Sequence, residues 1–166
     1  MIVTIMLEIE KATFAAGCFW KVESEFCQIK GVISTQVGYS GGYTINPTYE
    51  EVCKDVTGHA ESVLIEFDPN IVSYDALLEI FWSIHDPTTL NRQGLDIGSQ
   101  YRSIVFYHNN EQKSKALKYM EKLEKSGKLR SKIVTEILPK NIFYRAEEYH
   151  QKYFHKRGIV KCTSEK

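Results

Sequence analysis

The chain carries no surplus of either charge: Lys plus Arg and Asp plus Glu each number 21 in 166 residues. Without a basic or acidic excess there is no electrostatic footprint for nucleic acid or an anionic membrane, which leaves a small or peptide-sized substrate. No apolar run approaches the roughly 20 residues that span a bilayer. The apolar start, Met1 to Leu7, lacks a basic flank and meets Glu8 and Glu10 at once. It is expected to form a strand or loose arm, not a signal peptide, so the expected address is cytoplasmic. Repeats and low-complexity linkers are absent, and residues 1–166 are expected to form one domain with a flexible C-terminal tail from about 158. Cysteines are few: Cys18, Cys27, Cys53 and Cys162. None stands in a C-x-x-C pair, so neither a zinc site nor a thioredoxin-type motif is expected. In a reducing compartment each is either a packing residue or a reagent.

What is present is a regular succession of elements. Lys11 to Ala16 reads as a buried strand ending at Gly17, and a helix opens at Cys18 with Phe19, Val22 and Phe26 on one stripe. Val32 to Tyr39 is predicted as a strand, and Thr48 caps a short helix through Cys53. Val63, Ile65 and Phe67 alternate as a strand that Asp68-Pro69-Asn70 ends. Ser73 caps a helix packing through Leu77, Leu78, Phe81 and Ile84. His85 to Ser99 reads as a polar loop, and Ile104 to Tyr107 as a core strand. Asn110 to Ser126 is predicted as an amphipathic helix packing through Leu117, Met120 and Leu123, and Ile133 to Leu138 as a last strand. This order fits an α+β fold, a two-layer sandwich of helices on a mixed, largely antiparallel sheet.

Three stretches carry chemistry. In Gly17-Cys18-Phe19-Trp20 a cysteine stands where a strand hands over to a helix. Free N–H groups and the helix dipole would there favour its thiolate, which at an ordinary pKa of about 8.5 is only about 3% populated at pH 7. The alternative is a small buried hydrophobe. In Thr57-Gly58-His59-Ala60-Glu61, desolvation at the strand start would raise the Glu61 carboxyl and suit it to donate a proton. Glu61 as a solvated strand end, and His59 as either a base or a backbone-bonded turn residue, stay open. The long loop from His85 to Ser103 would build a binding surface. Its Asp86, Arg92 and Arg102 equally suit a structural network.

Together these stretches resemble the peptide methionine sulfoxide reductase A family. The resemblance runs from Phe14 to about Phe154, through Gly17-Cys18-Phe19-Trp20, Gly38-Tyr39-Ser40-Gly41-Gly42, Asn46-Pro47-Thr48-Tyr49, Gly58-His59-Ala60-Glu61, His85-Asp86-Pro87-Thr88, Gln100-Tyr101-Arg102-Ser103 and Ala146-Glu147-Glu148-Tyr149-His150-Gln151. It implies a ferredoxin-like core and the reduction of methionine S-sulfoxide, free or in proteins, as repair after oxidative stress. By the same resemblance Cys18 attacks the sulfoxide sulfur, Phe19 and Trp20 line the methyl pocket, and Glu61 protonates the oxygen. Tyr49 and Tyr101 bond that oxygen, and Asp96 orients the substrate main chain. No metal or cofactor is implied beyond an external thiol reductant, thioredoxin or dithiothreitol. Lys54-Asp55 stands where the family usually has small residues, and Arg145 replaces a common proline; neither is a catalytic position.

A sulfenic acid on Cys18 needs a second thiol. Cys27, nine residues on in one helix, would lie about 13 Å away on the opposite face, beyond the roughly 7 Å that a disulfide tolerates between Cα atoms. Cys53 is expected to face the core. Cys162, in a tail with almost no packing residues, is free to swing in and is the expected resolving thiol. Two rivals remain: a cysteine hydrolase pairing Cys18 with His59, and a non-catalytic peptide-binding module built on the aromatic loop from Tyr39 to Tyr49.

Overall fold

A computed structural model describes residues 7–163, so the expected N-terminal arm lies, Leu7 apart, outside the described residues. β1 (Glu10–Ala16) alternates as a two-faced strand should. Ala12, Phe14 and Ala16 enter the main core, while Ala15 joins Ala60, Ile104 and Phe106 on the other face. Gly17, at φ +97°, turns the chain into α1 (Phe19–Phe26), a conformation that only glycine adopts without strain. The stripe of Phe19, Val22 and Phe26 is buried as the spacing requires.

β2 (Val32–Ser40) and α2 (Tyr49–Cys53) follow. Thr48 caps α2 through the Glu51 N–H, and the Glu51 carboxylate accepts from the Thr48 N–H, a complete capping box. β3 (Ala60–Phe67) leads to α3 (Tyr74–Ser83), capped by Ser73. The loop predicted from His85 to Ser99 contains a small hairpin of β4 (Arg92–Gln93) and β5 (Asp96–Ile97). A 3-10 turn over Ser99–Tyr101 follows it. Then come β6 (Ser103–Tyr107), α4 (Asn110–Lys125), β7 (Glu136–Pro139), β8 (Tyr144–Arg145) and α5 (Tyr153–Lys156).

Six strands form one sheet in the order β7-β6-β1-β3-β2-β8, antiparallel throughout except for the parallel β6–β7 pair. Within it β1, α1, β2, β3, α3 and β6 make a β-α-β-β-α-β unit whose four strands lie in the order 4-1-3-2, the ferredoxin-like arrangement. α1, α3 and α4 pack on the face that carries Phe14. Phe14 stacks between Phe26 and Phe81, with centroids 5.3 and 5.0 Å away. The α+β sandwich is therefore as expected.

Three local readings change. α4 packs through fully buried Ala116, with Met120 and Leu123 at the core's edge, whereas Leu117 is 40% exposed. The strand predicted over 133–138 begins three residues later, because the Val134 N–H donates to Pro87 O and not to β6. β8 was not foreseen: its two residues alternate nothing, and the Gln151 amide extends their pairing. That side chain accepts from the Val37 N–H and donates to Val37 O and Ala146 O, each at 2.9 Å. Among the described residues no helix is long and apolar enough to cross a membrane.

Candidate active site

Cys18 is the N-cap of α1, half-buried at the turn out of β1. Glu61, on β3, is 2% exposed and reaches the same helix start, where its Oε1 accepts from the Phe19 N–H at 3.2 Å. A strand residue thus satisfies one of the orphan donors of α1. Burial pushes the Glu61 carboxyl up from 4.5 to about 8; the Phe19 N–H opposes this, and the charge of Asp96 adds to it. Glu61 is consequently mostly protonated at pH 7.

The thiol departs from expectation. Helix placement alone predicts a lowered pKa, but burial, and then the charge of Glu61, push Cys18 up to about 11. The Trp20 and Lys21 amides point at the sulfur and pull the other way without completing a side-chain cap. Desolvation wins over the dipole because a charge that is taken out of water loses more than a few amide dipoles return. The resting pair is a neutral thiol beside a carboxylic acid.

Tyr49 opens α2 and Tyr101 closes the 3-10 turn. Burial first, and then neighbours that include Glu61, push both phenols up, so both hydroxyls remain donors. The same interactions place Cys18, Glu61, Tyr49, Tyr101 and Asp96 around one centre. Cys53 is there too. It was expected in the core, but Val52 takes the buried position at 1% exposure, and Cys53, one residue on, faces out to hydrogen-bond with Tyr49. Asp55, one of the departures from the family pattern, accepts from the Ser99 hydroxyl, and from the Ser99 N–H at 3.3 Å, so it anchors the turn that bears Tyr101. Arg145, the other departure, donates to Glu148 at 2.7 Å on the surface.

Phe19 is 1% exposed and lies against Tyr39 and His150. The Trp20 ring is stacked on Tyr153 at 3.7 Å, and its N–H donates to His150 Nδ1 at 3.0 Å. A cavity of about 450 Å³ opens beside the thiol, lined among others by Cys18, Lys21, Gln93, Asp96, Phe154 and Val160. Of the expected residues, Cys18 and Asp96 line it, while Glu61, Tyr49, Tyr101, Phe19 and Trp20 do not.

The motif Ala146 to Gln151 also contributes Glu147 and His150, to which the sequence assigns no role. Glu147 accepts from the Tyr39 hydroxyl at 3.2 Å and the Tyr49 N–H at 3.3 Å. His150, fully buried, packs against Tyr49 at 4.4 Å. Glu23 gave no signal at all, since a carboxylate is not expected on a buried helix face. It is 1% exposed and accepts from the Thr35 hydroxyl at 2.8 Å and the Lys152 N–H at 2.6 Å, tying the C-terminal segment to α1. His59 spends both ring nitrogens on the backbone: Nδ1 accepts from the Gly42 N–H and Nε2 donates to Thr44 O. That leaves it unsuited to serve Cys18 as a base. Arg102 is engaged with Glu136 and Ser99 O, and Asp86 with Thr88, the structural alternative for both.

Cys162 is not beside Cys18. It is joined to Cys27, the C-cap of α1, with Cα atoms 4.7 Å apart, and both residues are buried. Cys18 and Cys53 are free. Among the described residues, no three His, Cys, Asp or Glu side chains gather as metal ligands would.

The family model described as peptide methionine sulfoxide reductase matches residues 10–166. A peptide methionine sulfoxide reductase of Methanosarcina acetivorans is 61% identical over 152 residues, 92% of this chain and 81% of that one. The reduced form of Mxr1 from Saccharomyces cerevisiae superposes with a TM-score of 0.84 at 33% identity, covering 98% of this chain and 95% of the other. Mxr1 has also been solved in complex with Trx2; that structure matches with a TM-score of 0.62 at 27% identity, over 91% of each chain. The chain belongs to the peptide methionine sulfoxide reductase family.

Proposed function

We propose that this methionine sulfoxide reductase acts on the S epimer, with Cys18 as nucleophile and Glu61 as acid. A sulfoxide sulfur is a poor electrophile until its oxygen takes a proton, so thiol and carboxylic acid must meet at one point. The observation that carries the reading is the protonated Glu61 held on the helix start that presents Cys18. Glu61 gives its proton to the oxygen as the Cys18 sulfur bonds to the substrate sulfur. The thiol proton passes to the carboxylate that Glu61 leaves. The hydroxyl then passes to the Cys18 sulfur as the S–O bond and the bond between the two sulfurs break, so the net change is Cys18–SH plus sulfoxide to Cys18–SOH plus thioether.

Tyr49 and Tyr101, kept protonated, are the further donors to the oxygen, and Asp96 on the cavity wall takes the substrate main chain. Phe19 and Trp20 supply the apolar contact for the methyl group. Cys162 is the resolving thiol, reached once the tail leaves its seat on Cys27. Thioredoxin is the reductant, a reading supported by the complex of the yeast relative with Trx2. A cytoplasmic address, where thioredoxin keeps thiols reduced, fits that recycling.

Turnover of separated R and S epimers by wild type and Cys18→Ser tests the reading. S-specific, thiol-dependent activity that is abolished by the substitution is expected. Activity on the R epimer alone, or activity that survives Cys18→Ser, would refute it.

A further inference from the structure

The cavity of about 450 Å³ beside Cys18 is larger than the sulfoxide chemistry requires. Glu61, Tyr49 and Tyr101, the groups that serve the sulfoxide oxygen, do not line it. Its volume falls in the range of about 300 to 1,000 Å³ that takes drug-sized ligands, several times what a sulfoxide group fills. Cys18 lines it together with Asp96, whose charge is also felt by Glu61 and Tyr101. The cavity is therefore continuous with the reacting centre, and the reaction leaves it unused.

From Cys18 the cavity follows α1 past Lys21 and Val22 to Glu25, about 10 Å of helix rise. An extended chain advances about 3.3 Å per residue, so this length spans about three residues of a bound peptide. The inner wall is apolar: Val22 is buried, and Ile84, Phe154 and Val160 are half-buried. Lys21 and Glu25, both exposed, cancel in charge. Burial pushes His85, also on the wall, down to about 4, so it is neutral at pH 7. Its ring nitrogens are already engaged with Phe81 O and the Ser103 hydroxyl. Two large apolar side chains beside this wall stand in water: Leu95, between the cavity residues Gly94 and Asp96, is 95% exposed, and Ile159 is 65% exposed. Apolar surface gathered at an open cavity marks a place that another chain covers.

We propose that this cavity is a specificity subsite, which takes an apolar side chain one to three positions from the methionine sulfoxide on one flank of a peptide substrate. This rests on the roles given above to Cys18 and Asp96. With the substrate main chain on Asp96, the sulfoxide side chain turns to Cys18 and Glu61, and the peptide runs on along α1. A glycine at the flanking position leaves Val22, Ile84 and Phe154 facing water, whereas a leucine covers them. Filling an apolar pocket of this kind is worth about tenfold in kcat/KM. The contact is made equally before and during the reaction, so it lowers KM and leaves kcat alone. Charged flanking residues gain nothing, because the wall offers them neither a net charge nor a free partner. The preferred substrate is then a segment whose neighbours belong in a hydrophobic core, reached when oxidation has loosened that core.

The test is steady-state kinetics, with dithiothreitol as reductant, on peptides blocked at both ends that carry a central methionine S-sulfoxide and otherwise glycine. Leucine, lysine or glutamate then replaces one glycine at a time, up to three positions away on either flank. Leucine is expected to lower KM about tenfold at a position on one flank, with kcat unchanged, while lysine and glutamate there bring no gain. The ratio of kcat/KM between the leucine and the all-glycine peptide is next measured in Phe154→Ser and in Ile84→Thr. Any loss of activity common to both peptides cancels in that ratio, which is expected to fall to about threefold or less. No position at which leucine lowers KM, an equal gain from lysine, an equal gain on both flanks, or a ratio that stays near tenfold in both variants would each overturn the subsite. No turnover of any peptide would instead overturn the reductase reading beneath it, and this proposal with it.

Discussion

At the scale of single residues, Glu61 makes the sharpest demand on experiment. Its carboxyl titrates near 8 in the folded protein and at 4.5 ordinarily. The acid form does the work, so kcat/KM for the sulfoxide is expected to fall as pH rises through about 8. In Glu61→Gln that limb should vanish, and the rate at pH 7 should drop by about 10² to 10⁴, the usual worth of a positioned acid. A profile that keeps climbing toward the Cys18 value of about 11 would mean that thiolate formation, not proton donation, governs the rate. The same shift bears on stability. A raised carboxyl holds its proton in the folded state while the unfolded chain releases it above 4.5, so folding stability declines from there until the folded group ionises near 8. Glu61→Gln, which has no proton to lose, should therefore flatten the pH dependence of the urea midpoint between those values. The wild-type decline persisting in the variant would remove Glu61 as its source.

At the scale of elements, the nucleophile was legible because strand, glycine and helix start are local patterns, and Cys18 sits where they meet. Its pKa was not legible. The dipole is written in the helix, but the burial that outweighs it is set by tertiary packing, and the next contribution is the charge of Glu61 on another element. Cys53 misled because a five-residue helix has too few turns for periodicity to choose between Val52 and its neighbour. β8 was invisible because the Gln151 amide, and not alternation, supports it. The 3-10 turn bearing Tyr101 is similar, since its anchor at Asp55 lies 44 residues earlier. Removing that anchor in Asp55→Gly, a residue suited to the φ of +57° there, should cost about 1 kcal/mol of positioning, or about fivefold in kcat/KM. The urea midpoint should scarcely move, because the contact is at the surface. A lowered midpoint with unchanged kcat/KM would make Asp55 purely structural.

At the scale of the whole molecule, the disulfide ties residue 27 to residue 162 and encloses most of the chain. No sequence rule pairs these cysteines: helix geometry separates Cys27 from Cys18, but the tail has no period by which to place Cys162. Seat and bond nonetheless differ in what they contribute. The Thr163 N–H on Cys27 O and the Lys152 N–H on Glu23 do not involve the sulfur–sulfur bond, whereas the cross-link acts by restricting the unfolded chain. A cross-link over so long a loop is worth about 2 to 4 kcal/mol by ordinary experience. For a chain of this size that corresponds to roughly 5 to 15 °C in Tm. Reduction with dithiothreitol should therefore lower Tm by that amount in wild type. In Cys162→Ser, already without the bond, the reductant should change nothing. An equal fall in both proteins would place the reductant's effect elsewhere than at this bond. No fall in wild type would mean that the cross-link does not restrain the unfolded chain, and that the tail is held by its hydrogen bonds alone.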